Sequence, residues 1–195
     1  INDGRKRFMH ELLERFATER PEETVDSIVG YIEGMCSGRR GELVGILESH
    51  SFAWLSTKNL ACRLLAMLAE LRADSSIAPV ELHRLLFERE IDIEHIEPCN
   101  HENQGKRATT WETWREELHR LGNLIVLERN KNRGKEVSNK DYAAIKRKAY
   151  QTSEFAVVQE FAANHETWNL EFAIERKGQL VCELADYLCG KVESK

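Results

Sequence analysis

Proline is almost absent from this chain. There are three in 195 residues, and eleven glycines add little further interruption, so long helices can run unbroken and a mainly α fold is expected. No apolar run approaches the ~20 residues that a bilayer span needs, which excludes a spanning helix and a membrane partner. The opening stretch "INDGRKRFMHELLERF" has early charges and no apolar core, which excludes a secretory signal. It also lacks an initiator Met, so a piece of a longer protein is expected. No CxxC occurs. The five cysteines, Cys36, Cys62, Cys99, Cys182 and Cys189, are odd in number and scattered, which fits a reducing, cytoplasmic setting with each buried as a small apolar residue. With 42% hydrophobic and 31% charged residues the chain has the composition of a folded globular protein.

Net positive charge is also lacking. The formal charge is −5, which on its own disfavours nucleic acid. The distribution reverses that reading. Gln104 to Tyr150 holds twelve Lys/Arg and six Asp/Glu, a net +6, and the remainder is −11. A basic centre between acidic flanks can hold a phosphate backbone.

Apolar periodicity places the elements. "RKRFMHELLERFATER" and "EETVDSIVGYIEGMC" each read as amphipathic helices, "GELVGILESH" as a shorter one, and "STKNLACRLLAMLAELRAD" as a buried core helix with a Ser/Thr cap. "APVELHRLLFERE" adds one or two helical turns. From Glu90 the period becomes two, the spacing of a strand. "CNHENQGKRATT" is polar and reads as a loop. "WETWREELHRLG" reads as a helix stopped by Gly122, and "NLIVLERN" as a second strand. Three further helices follow, in "SNKDYAAIKRKAYQTS", "SEFAVVQEFAANH" and "TWNLEFAIERKGQLVCELADYLCGKV". In the first of these Tyr142, Ile145 and Ala149 read as the inward face. Trp111, Trp114 and Trp168 read as core.

One strand raises a chemical question. "IDIEHIEPCN" puts Asp92, Glu94 and His95 together and stops at Pro98. A carboxylate beside an imidazole is half of a metal-dependent hydrolytic site. In a regular strand Asp92 and Glu94 share one face and His95 takes the other, so a common site requires a bend or bulge near Pro98. The order strand, strand after Asn123, polar turn with Asn132, then helix is a ββα arrangement.

"IEHIEP…GNLIVLERNKNRGK" resembles an HNH (ββα-metal, His-Me finger) nuclease motif, and "NKNRGK" is similar to the matching stretch in the HNH domain of RNA-guided CRISPR nucleases. More specifically, "DIEHIEP", "HRLGNLIVL", "SNKDYAAIKRKAY" and the late Trp168, Ile174 and Arg176 resemble the C-terminal domain of GmrSD-type modification-dependent restriction enzymes. The likeness runs from about Lys58 to Leu188. Phage-defence nickases linked to phosphorothioate-modified DNA share the same layout. The resemblance implies a helical domain with an inserted small ββα-metal motif. Its parts are 1–89 as a helical N-terminal part, 90–150 as the motif with its loop, and 151–195 as C-terminal helices packing on the motif. It implies a DNA endonuclease or nickase, the effector of a prokaryotic restriction or defence protein. The substrate is expected to be double-stranded DNA, and the whole protein to include an N-terminal nucleotide-hydrolysing sensor module. The alternative is a catalytically inactive HNH-like DNA-binding or regulatory domain.

The chemistry gives each residue type a task. His95 takes the proton from water, with an unperturbed pKa of about 6.5 that suits a base at neutral pH. Glu94 and Asn132 offer hard oxygens for Mg²⁺ or Mn²⁺, with Asp92 as the substitute carboxylate, since many HNH motifs have Asp where Glu94 stands. By the family pattern Asn123 is no ligand but hydrogen-bonds across the motif and fixes the segment that bears His95. Lys131, Arg133, Lys135, Lys140 and Lys146 are expected to position the DNA backbone. His119 is expected to pack or orient the motif.

Overall fold

The computed structural model describes residue 34 and residues 38–53, 55–73, 90–100, 104–134, 137 and 139–189. The helices expected in the first 36 residues and across 78–90, and the side chain of Lys135, lie outside them. The chain forms two compact units. In the unit made of 1–44 and 185–195, the Arg40 guanidinium donates twice to Asp186 Oδ1, at 2.9 and 2.5 Å. The unit Gly45–Leu184 contains the sheet and the candidate site.

The architecture is mostly helical around a two-stranded antiparallel sheet. Helix α1 spans Arg40–Ser49 and α2 spans Leu55–Ala73. Strand β1 is Ile91–His95, and α3 is Gln104–Trp114. Two 3₁₀ turns, Arg115–His119 and Leu121–Asn123, lead into strand β2, Leu124–Glu128. The one-turn helix α4, Arg129–Asn132, follows directly. A π-helical turn, Tyr142–Lys146, runs into α5, Arg147–Tyr150. Helices α6, Ala156–Asn164, and α7, Leu170–Cys189, complete the order.

Strand β2 is buried at every position. A strand covered on both faces reads as a continuous apolar run, here "LIVL", instead of alternating. The long helix α2 packs on both strands through Ala61, Cys62, Leu65, Leu68 and Ala69, which are all buried. A second apolar layer comprises Tyr142, Tyr150, Phe161 and Trp168, with ring centroids 5.1–6.4 Å apart. The register is unbroken from Ile91 opposite Glu128 to His95 opposite Leu124, and Ile96 N–H continues it to the Asn123 carbonyl at 2.9 Å.

Three sequence expectations need correction. Gln104–Thr110 is helical, not loop. Its residues are polar and show no apolar period, so the pattern had nothing to record. The helix does not continue to Gly122 either: Arg115 has φ 44°, and the chain turns into 3₁₀ there. The inward face of the helix after Asp141 is Tyr142, Lys146 and Tyr150, not Tyr142, Ile145 and Ala149; Ile145 is exposed. The Tyr142–Lys146 turn is π-wound, and its extra residue advances the phase by one position.

Candidate active site

A cleft of about 610 Å³ opens at the end of the sheet. Asp92, Glu94 and His95 of β1 line it, with Asn132 and Arg133 from the end of α4, His119 from the 3₁₀ turn, Lys58 from α2, Trp111 from α3, and Cys99. Glu94 and His95 therefore share one cleft. No bulge is needed, because His95 is the last strand residue and the chain bends at Ile96 and Glu97, just before Pro98.

Asn123 holds that bend. It is fully buried, and its carbonyl oxygen accepts from Glu97 N–H at 2.8 Å and from the Trp168 indole N–H at 3.0 Å. Its amide donates to the carbonyls of Glu97 and Leu118, both at 3.0 Å. With all four bonds made to other protein groups, Asn123 does not line the cleft. Arg176 secures the adjoining turn by donating to the carbonyls of Leu121, Gly122 and Leu124 at 3.2, 2.7 and 2.8 Å. Gly122 is required there: a Cβ would lie 1.9 Å from the Ala173 carbonyl oxygen of α7.

The His95 ring meets His119 edge to face, with Nε2 3.1 Å from His119 Nδ1. Burial, reinforced by the nearby His119, Lys58 and Lys146, holds His95 well below the ordinary imidazole pKa. Burial and Lys58 lower His119 as well. Both rings are thus neutral at pH 7. Burial also pushes the Cys99 thiol up to about 11.

Glu94 is buried and ion-paired to Lys146, Nζ to Oε1 at 2.5 Å. Burial pushes its carboxyl above the usual carboxylate range, and the Lys146 ammonium pulls the other way. Lys146 also donates to the carbonyls of His95 and Ile96, at 2.5 and 3.4 Å. Its side chain is 0% exposed. Lys146 therefore cannot reach a DNA phosphate; it is an internal strut between the π-turn and the end of β1.

The other basic positions divide. Lys131 is drawn to Glu128, at 3.2 Å, and to the Thr152 carbonyl. Arg133 is exposed and pairs with Asp92 at 2.8 Å. Lys140 is partly exposed. Asn132 donates from Nδ2 to the Ile93 carbonyl at 3.2 Å, which ties α4 to β1.

Sequence reasoning missed Lys58, Cys99 and Trp111 at this cleft. Trp111 is 55% exposed at its edge and is not a core residue, whereas Trp114 is buried. The spacing of His95 and Cys99, with His119 beyond, was a signal for Cys99; nothing local distinguishes Lys58. A larger cleft of about 700 Å³, between α6 and α7 and crossed by the Arg72–Glu183 ion pair, contains none of the motif residues.

The family model for the C-terminal domain of GmrSD restriction endonucleases matches residues 47–182. The chain belongs to that family. No curated protein and no solved structure gives a match. The matched span includes α2, both strands, the cleft and most of α7, so every residue of the candidate site lies within the GmrSD-type domain.

Proposed function

We propose that this domain is an HNH-type, metal-dependent DNA endonuclease or nickase, with β1, β2 and α4 as its ββα core. In sequence, α2 precedes this core and α6 follows it. The observation that carries the reading is convergence. Glu94 and His95 from β1 and Asn132 from α4 line one cleft, and Asn123 braces the bend beneath them without entering it.

The donor set fits a hard divalent ion. Glu94, Asn132 and Asp92 are oxygen donors on one cleft, and a carboxylate that gives Oε1 to Lys146 keeps a second oxygen. Glu94 and Asn132 would hold Mg²⁺ or Mn²⁺, with Asp92 held back by Arg133; such an ion offsets charge on the phosphate in the transition state. His95, neutral at pH 7, accepts the proton as a water oxygen attacks phosphorus and the opposite P–O bond breaks. His119 orients the imidazole through the Nε2–Nδ1 contact. Arg133, Lys140 and the exposed Trp111 would meet the DNA backbone and bases. The domain would act in the prokaryotic cytoplasm on double-stranded DNA, downstream of a nucleotide-hydrolysing sensor module.

The test is cleavage of supercoiled plasmid with Mg²⁺ or Mn²⁺. His95→Ala should lose ~10²–10⁴ in rate while retaining DNA affinity. Cleavage that survives exhaustive chelation, or wild-type turnover by His95→Ala, overturns the mechanism. DNA binding without cleavage by the parental protein would instead identify an inactive DNA-binding domain.

A further inference from the structure

Three soft or borderline donors meet on the cleft wall, and the proposed nuclease chemistry leaves one of them, Cys99, without a task. His95 ends β1, Cys99 follows Pro98, and His119 ends a 3₁₀ turn. Their ligand atoms all lie within 4.8 Å of one another. His95 Nε2 is 3.1 Å from His119 Nδ1, and Cys99 Sγ is 3.8 Å from that same nitrogen.

Those separations can be compared with a coordination polyhedron. Tetrahedral zinc, with Zn–N of about 2.0–2.1 Å and Zn–S of about 2.3 Å, has N–N edges of about 3.3 Å and N–S edges of about 3.6 Å. Both contacts of His119 are close to these lengths, and a small rotation of the Cys99 side chain closes the third edge. The open cleft supplies the fourth position to water or phosphate, the arrangement of a three-ligand site.

We propose that His95, Cys99 and His119 form a second metal site that takes zinc and switches the cleft off. The two sites differ by donor chemistry. The oxygens of Glu94, Asn132 and Asp92 suit Mg²⁺ or Mn²⁺, whereas two imidazoles and a thiolate favour zinc over those ions. Coordination removes the proton from the Cys99 thiol, so binding at neutral pH releases a proton to solvent. It also draws the His95 ring into a bond with a dication, and a ring so bound takes a further proton from water far less readily. This inhibitory half rests on the reading of His95 as the base; the binding half does not.

Cobalt(II) is the probe for binding, with the whole chain. One equivalent should produce the visible bands of four-coordinate Co²⁺ and a thiolate-to-cobalt charge-transfer band in the near ultraviolet, and zinc should erase both. Cys99→Ser should abolish the charge-transfer band, and His119→Gln should weaken binding at least tenfold, with circular dichroism confirming that each variant is folded. Cys99→Ala serves as the second variant if Cys99→Ser is unfolded. Absence of the thiolate band, or its persistence without Cys99, overturns the site. In the activity arm, one equivalent of zinc with Mg²⁺ in excess should suppress plasmid cleavage by the parental chain. In Cys99→Ser the rates with and without zinc should be alike. Cobalt binding as described with no zinc inhibition overturns the switch. A parental chain that cuts no DNA overturns the nuclease reading, and the cobalt spectra still decide the site.

Discussion

Lys146→Met is the sharpest test of how the cleft is built. The substitution keeps most of the stem volume and deletes the ammonium, leaving the buried Glu94 carboxylate without its partner at 2.5 Å and the His95 carbonyl without its donor. At an effective dielectric of about 20, the gross attraction across 2.5 Å is about 7 kcal/mol. Desolvation of both charges cancels much of it, and measured losses on breaking one side of a buried pair are ~3–5 kcal/mol. Domains typically have only ~5–15 kcal/mol of stability in total. At ~2–4 °C per kcal/mol for a chain of this size, the melting temperature should fall by roughly 6–20 °C.

Because loss of a buried lysine can have other causes, the decisive measurement is a cycle with Glu94→Gln. The double variant Lys146→Met/Glu94→Gln removes both charges and should be more stable than the sum of the two single losses predicts, by at least ~2 kcal/mol in urea unfolding. Agreement with additivity to within ~0.5 kcal/mol, or a loss under ~1 kcal/mol for Lys146→Met alone, refutes the strut. The same variant, assayed where it is folded, should leave the salt dependence of DNA binding unchanged, since no phosphate contact has been removed.

Gly122→Ala should destabilise by at least ~1–3 kcal/mol in thermal melts, because its Cβ meets the Ala173 backbone, which cannot rotate out of the way. Asn123→Ala should cost more than Trp168→Phe, which removes one neutral hydrogen bond worth ~0.5–1.5 kcal/mol, since Asn123 makes four; equal losses by urea unfolding would remove Asn123 from its bracing role. Stability should also fall with acid. His95 in the folded chain is held well below its unfolded value of about 6.5, so below pH 6.5 the unfolded state binds a proton that the folded state refuses. The loss approaches ~1.4 kcal/mol per pH unit until the folded value is reached; His119, reached by water, adds less. His95→Gln should flatten the slope of unfolding free energy between pH 6.5 and 5, and an unchanged slope would refute the assignment.

The parts of the fold that were legible in the sequence are those in which one segment determines its own environment. "NLIVLERN" reads as a short strand, and β2 occupies Leu124–Glu128 of it. The wide apolar face of "LACRLLAMLAEL" is a core helix; it starts at Leu55, ahead of the Ser56 and Thr57 expected to cap it. Glu94 and His95 stood out because a carboxylate and an imidazole interrupt an apolar alternation. The first part of the helix Gln104–Trp114, Gln104–Thr110, was read as loop for the opposite reason: it is a polar stretch with no apolar period to count.

The role of Lys146 was hidden by a different physics. Lys146, Arg147 and Lys148 are three consecutive basic residues, and from Tyr142 helical spacing allows either Ile145 or Lys146 to face inward. Apolarity favours Ile145, yet Lys146 is the buried one, because Glu94 and two carbonyls at the end of β1 satisfy its ammonium. An unpaired buried ammonium would be prohibitively costly. The burial of Lys146 is thus a property of two distant segments together. The same holds for the His95, Cys99 and His119 cluster, whose members come from a strand end, the bend after it and a 3₁₀ turn. Asn123 connects these cases. By fixing the bend at Ile96 and Glu97 it sets both where the His95 and Ile96 carbonyls receive Lys146 and where Cys99 comes up beside His119. Loss of that one buried amide should therefore disturb the Glu94–Lys146 ion pair and the His95, Cys99 and His119 group together, although it touches neither.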